Sequence, residues 1–449
     1  MYLQRLRTPL LLLLLLASAQ SPPYLGWPWS VDAWIWQGMY ELPQSQARLL
    51  LLAIGVLLVL ADVVARTTGL PRLPSRAVRL LWRPGVLFGI ALVTFWVLRV
   101  HRWEGDFSGY PGHTAVESPM FVRVVAEPAE PLGTISLAYL CRLADLFGVT
   151  HATAVQVESV LYGAFAIVGL ALWAQCLPQP GKVFWMVALS GYMVLFCGYV
   201  EKGTIKALSL NIWYVYAGTR ALTGGAPAWS SAASLLLATA TLMHGSALSW
   251  LPAHALAIWT LPGWRARIES VLCWLLPIAV MVWLISAGVF PTLGGTFGNM
   301  LSFLSWTTDL CNTYWHAGIC GDSFFGIEHA FWFLNSLLTF APAATLCIPE
   351  AAWRSTASRR AASRLTVWLG LGACGWLFLS AVWHPGMGFG WTTDWDIFAL
   401  PPFVLTVWAV TIASTQLRAA DLRHFAAVWI AMTAPHTLIW WHTWRQVGG

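Results

Sequence analysis

Five segments of the chain bring acids, cations or histidines together with glycine and aromatic residues. The first is Trp103-Glu104-Gly105-Asp106-Phe107-Ser108-Gly109-Tyr110-Pro111-Gly112-His113. Two carboxylates around a glycine, flanked by rings, suit a general base beside a sugar platform. Taken alone, a solvated turn with Trp103 anchored at an interface accounts for the same residues. The second is Gly198-Tyr199-Val200-Glu201-Lys202-Gly203, with Lys206 one turn further on. Ionisable groups at membrane depth are costly and mark function by default; a surface hairpin turn is the alternative. The third is Met243-His244-Gly245-Ser246, whose small residues allow close helix approach. His244 is a candidate for the site, and the deeper His254 reads as a hydrogen-bonded core residue.

The fourth segment runs from His384 through a Gly-rich stretch to Asp394-Trp395-Asp396. A carboxylate at a helix start is favoured by the helix dipole, and one would suffice for capping. Two acids around a tryptophan suit a hydroxylated ligand or a metal. The fifth is Glu328-His329, with Asn335 further in; capping and interface anchoring are its alternative. A nearby pair, Cys311 and Cys320, closes a small loop that an oxidising compartment would allow to form a disulfide. A metal pair suits that spacing less well. The sequence contains no phosphate-cradling loop, dinucleotide fingerprint, His-Glu-x-x-His or nucleophile elbow.

The elements that must carry these residues are apolar. Of 449 residues, 58% are hydrophobic and 10% charged, and the mean hydropathy is +0.65. Apolar runs fall at 8–19, 48–65, 84–100, 153–175, 183–199, 204–221, 229–245, 247–262, 269–290, 332–348, 366–382, 397–415 and 425–442. Lipid leaves no partner for a broken backbone, so runs of this kind predict spanning helices. The first run, with Arg5 and Arg7 before it and Ala17-Ser18-Ala19 after it, has the form of a signal sequence or first anchor.

With the N-terminus inside, 17 of the 25 basic residues fall on the inner face, in accord with the positive-inside rule. Fifteen of the 19 acids fall outside or at outer helix ends. All five segments then share the outer face. The net charge of +6 reflects this placement rather than a nucleic-acid surface, because no basic block stands beside interleaved aromatics. The outer stretch 131–147 alternates apolar residues with Arg142 and Asp145 and suits an amphipathic helix in the interface plane.

These pieces resemble the GT-C superfamily of polytopic glycosyltransferases, over residues 84–415. Asp106 after a spanning run, followed by the 131–147 segment, matches its first outer loop. Gly198-Tyr199-Val200-Glu201, His244 ahead of a run near Pro252, His329 with Asn335, and Asp394-Trp395-Asp396-Ile397-Phe398-Ala399 resemble a bacterial subgroup similar to lipid-linked mannosyltransferases. Lys202-Gly203 stands where that subgroup often has Asn-Tyr, and the runs before residue 84 are additional.

The resemblance implies an all-α bundle of about 12–13 spans in the plasma (inner) membrane, with residues 1–83 as signal or anchor plus an extra helix and 84–449 as the catalytic module. It implies inverting transfer from a polyprenyl-phosphate sugar to the hydroxyl of an outer-face glycan, lipid or protein. Asp106 is the first choice for the base and Glu104 the second. Arg102, Arg123, Lys202 and Lys206 are the cations for the lipid phosphate. Asp394, Asp396 and Glu201 would orient sugar hydroxyls, with His244, His329 and His384 around them. Use of a divalent cation such as Mg or Mn stays open. A multi-pass transporter or flippase is the competing class.

Overall fold

The computed structural model describes residues 80–99, 131–197, 204–224, 226–289, 341, 343–344, 363–382 and 400–446. Every regular element among them is a helix. In chain order they are α1 (Pro84–Leu98), α2 (Pro131–Phe147), α3 (His151–Gln175), α4 (Pro180–Ala188), α5 (Thr204–Gly224), α6 (Pro227–Met243), α7 (Leu251–Trp259), α8 (Trp264–Ser286), α9 (Arg364–Val382), α10 (Leu400–Gln416) and α11 (Ala419–Gln446). Two 3-10 segments, Gly191–Phe196 and Gly245–Trp250, follow α4 and precede α7.

Local signals set several boundaries. Proline opens α1, α4 and α6, where a missing N–H costs nothing. Thr150 caps α3 by accepting from the Thr153 amide at 3.2 Å. Between α2 and α3, Gly148 takes φ 63°, and the Val149 amide closes back on the Ala144 carbonyl at 2.9 Å. The expected helix at 131–147 coincides with α2.

Two expected spans are interrupted. The run 183–199 is α4 followed by a 3-10 segment, and 247–262 is a 3-10 segment followed by α7. At the first break the backbone of Ser190 is extended, so carbonyls near the end of α4 lose their helical partners. Side chains from α11 satisfy them: the Trp429 indole donates to the Met186 carbonyl at 2.8 Å, and the Thr437 hydroxyl to the Leu189 carbonyl at 2.7 Å. Buried backbone groups demand such partners.

Helix α5 is the centre of the bundle, buried on nearly every side and packed on α3 and α6. Beside it Trp250 and Trp368 stack at 5.5 Å, with Tyr214 edge-on to Trp250 at 5.0 Å. Helix α9 reaches this core through glycines. A Cβ on Gly372 would collide with the Trp250 ring, and one on Gly375 with the Ser249 carbonyl.

The helices alternate in direction and define two poles. Ser230 meets Ser270 at 2.9 Å and Ser231 donates to Glu269 at 2.9 Å, placing the starts of α6 and α8 together. Arg220, at the end of α5, lies over Trp229 of α6. Trp82 packs on Phe184, joining the starts of α1 and α4. This pole therefore carries Arg83, Lys182, Arg220, Arg265, Arg267, Arg364, Arg418 and Arg423. The opposite pole holds the ends of α1, α6, α8 and α9 and the starts of α3, α5 and α10.

Thr153–Gln175 and Trp264–Ser286 are long and apolar enough to cross a membrane, and Pro84–Leu98, Arg364–Phe378 and Leu400–Gln416 are shorter apolar helices. The two long helices sit differently. The first is mostly buried, whereas α8 exposes Leu272, Leu276, Val280 and Trp283 along one face.

Candidate functional site

Lys206, in the first turn of α5, is 2% exposed. A buried ammonium needs an opposite charge and hydrogen-bond acceptors. The fold supplies both from different helices. Glu158 of α3 lies at 3.0 Å, and the Ser136 hydroxyl of α2 accepts from Lys206 at 2.6 Å. Ser136 in turn donates to the Gly133 carbonyl at 2.8 Å, so its hydroxyl serves as acceptor and donor at once. Beside the pair is a void of about 10 Å³, near the volume of one water, bounded by Val155, Ser159, Tyr162 and Ile205.

Helix α2 approaches this cluster because its inner stripe is compact. Gly133, Leu137, Cys141 and Ala144 recur at helical spacing and are buried against α3 and α6. Its other face exposes Tyr139, Leu143, Leu146 and Phe147. Asp145 at the end of α2 pairs with His151 at the start of α3, 2.7 Å away. Burial first, then the nearby Asp145 and Glu158 carboxylates, push the Cys141 thiol from 9.0 up to about 11.

His244 sits at the junction of α6 and the following 3-10 segment and is buried. Its Nδ1 accepts from the Ser246 amide at 3.2 Å and contacts the Ser246 hydroxyl, which caps the segment. His254 is held by Tyr214 at 3.3 Å and Ser234 at 3.2 Å, inside the aromatic core. Lys206 thus joins two helices to α5, and His244 shapes a turn. Glu104, Asp106, Arg102, Arg123, Glu201, Lys202, His329, His384, Asp394, Asp396, Cys311 and Cys320 lie outside the described residues.

Glu158 and Ser136 are absent from the sequence-derived candidates. Glu158 had a legible signal, being the one acid within the apolar run 153–175. Ser136 had none, since a single hydroxyl on an amphipathic helix is ordinary. Among the described residues no three His, Cys, Asp or Glu side chains gather as metal ligands, and the cysteines Cys141, Cys176, Cys197, Cys273 and Cys374 are free thiols.

The cluster is a neutralised ion pair that fixes an amphipathic helix to the bundle at the pole opposite the basic one. No protein-family model matches the chain, and no curated protein is significantly similar to it.

Proposed function

We propose that the chain is a polytopic inner-membrane glycosyltransferase of the GT-C kind, using a polyprenyl-phosphate sugar and an acceptor hydroxyl at the outer face. Membrane embedding is supported by the apolar stripe that α8 turns outward, where a soluble helix would carry polar residues. Orientation is supported by the cations collected at one pole, which belongs inside.

One observation carries the enzymatic reading. Helices α1, α8 and α9 end, and α5 and α10 begin, at the pole opposite the basic one. In sequence, Asp106 follows α1, Glu201 precedes α5, His329 follows α8 and Asp394 stands between α9 and α10. Helix α2, fastened by Lys206 and Glu158, lies at that same pole directly after the segment bearing Asp106. In this reading Asp106 takes the acceptor proton, with Glu104 as second choice. Arg102, Arg123 and Lys202 face the leaving phosphate, because cations strengthen hydrogen bonds to its oxygens. Lys206 acts as a positioning residue, since its ammonium is already engaged by Glu158 and Ser136. Glu201, Asp394 and Asp396 orient sugar hydroxyls or hold a divalent cation.

A transporter or flippase is the second reading, and the interrupted helices at Ser190 and His244 favour it, because broken helices are common in transporters. Membranes containing the full chain, supplied with polyprenyl-phosphate mannose and an outer-envelope acceptor fraction, separate the two. The expected result is labelled acceptor with the wild type and a loss of about 100-fold or more with Asp106→Asn at equal protein level. Full activity in that variant removes Asp106 from the mechanism. Movement of the lipid-linked sugar between leaflets without transfer assigns the chain to the transporter class.

A further inference from the structure

A groove of about 490 Å³ runs between α1, α4 with its 3-10 continuation, and α11. Its walls include Trp82, Ile90, Phe95, Phe184, Met193 and Leu438. Three polar side chains on it are turned to the backbone: Thr94 donates to the Ile90 carbonyl at 2.8 Å, Thr437 to Leu189 at 2.7 Å, and the Trp441 indole to Leu98 at 2.7 Å. A wall of rings and aliphatic chains, with its hydroxyls satisfied internally, suits hydrocarbon better than a sugar.

The three helices run parallel from the basic pole. Trp82 packs on Phe184 where α1 and α4 begin, Trp429 and Thr437 bind successive carbonyls of the α4 region, and Trp441 reaches the end of α1. The 15 residues of α1 give the groove a length of about 22 Å, more than the roughly 15 Å of hydrocarbon in one leaflet.

At the basic mouth, the parallel register of α4 and α11, set by Trp429 on Met186, puts Lys182 and Arg423 near the neighbouring starts of those helices, with Arg83 one residue past Trp82. Lys182 donates to Gln179, and among the described residues neither Lys182 nor Arg423 pairs with an acid. Burial first, and Arg423 second, lower the Lys182 pKa. Two cations held together are relieved by an anion between them, and basic pockets on the inner side of helical bundles are suited to lipid headgroups.

We propose that this groove binds an anionic phospholipid of the inner leaflet, one acyl chain between α1, α4 and α11 and its phosphate on Lys182 and Arg423. The site rests on the membrane reading above and is independent of sugar transfer. The full chain, purified in non-ionic detergent, is offered phosphatidylglycerol or phosphatidylcholine of matched chains and examined by native mass spectrometry. One phosphatidylglycerol per chain is expected, retained about tenfold or more over phosphatidylcholine. Lys182→Gln with Arg423→Gln should remove that preference, Lys182→Arg should keep it, and Ile90→Trp should reduce retention of both lipids. Equal retention of the two lipids by the wild type, or an unchanged preference in the double variant with its melting profile intact, overturns the site. Alkaline carbonate extraction of native membranes checks the underlying reading separately. Release into the soluble fraction defeats membrane embedding, whereas resistance without lipid preference defeats the lipid site alone.

Discussion

Lys206 is a buried cation whose worth lies in its pairing. Removing one partner leaves the other charge stranded in a low-dielectric interior, which costs more than the pair itself contributes. Lys206→Met is therefore expected to destabilise the protein by about 3–5 kcal/mol, and the double variant with Glu158→Leu by clearly less. Denaturation in detergent, followed by helical signal, reads both. A double variant no better than the single one would mean that the pair is not the stabilising unit. Cys141, on the same helix α2, gives a pH readout. Its pKa is raised from 9.0 to about 11, so the folded state favours the neutral thiol. The stability it contributes is present below pH 9 and lost as pH climbs through 11. Alkylation of Cys141 should accordingly be slow at pH 8 and accelerate toward pH 11; rapid labelling at pH 8 would contradict the burial of this stripe.

At the scale of elements, the interruptions in two apolar runs are the chief departure from simple spanning helices. Each break is stabilised by contacts brought from elsewhere in the chain. The 3-10 segment before α7 survives because α9 presents glycine to it, and the Trp250 ring and Ser249 carbonyl fill the space that side chains would occupy. Gly375→Ala should cost about 1–3 kcal/mol or more through overpacking. Gly89→Ala, in α1 with nothing within 4 Å of the added carbon, should be neutral or stabilising by up to about 1 kcal/mol. Thermal melts of the two variants test the contrast, and equal losses would show that α9 does not pack through Gly375.

For the whole molecule, the separation of charge between poles makes a topological prediction. Arg220, Arg265 and Arg267 stack on Trp229, Trp264 and Trp259 at one pole, where interfacial rings and cations favour a membrane boundary. A reporter joined after residue 262 should report the cytoplasm, and one joined after residue 289 the exterior. The reverse pattern would place the acid-bearing connections inside and remove the basis for an outer-face enzyme.

The helices that the apolar runs predicted, such as α1, α3 and α10, and the amphipathic α2, were legible in the sequence because hydropathy and helical period are properties of neighbouring residues. The one-sided placement of arginine was legible for the same reason. Nothing local could announce that Met186 and Leu189 would find donors in Trp429 and Thr437, more than 240 positions away. Nor could it announce that Lys206 would face Glu158 and Ser136 rather than open solvent, or that α1, α4 and α11 would enclose an apolar groove beside Lys182 and Arg423. Satisfying a buried charge or a freed carbonyl depends on which distant helices meet, and only the packed bundle decides that.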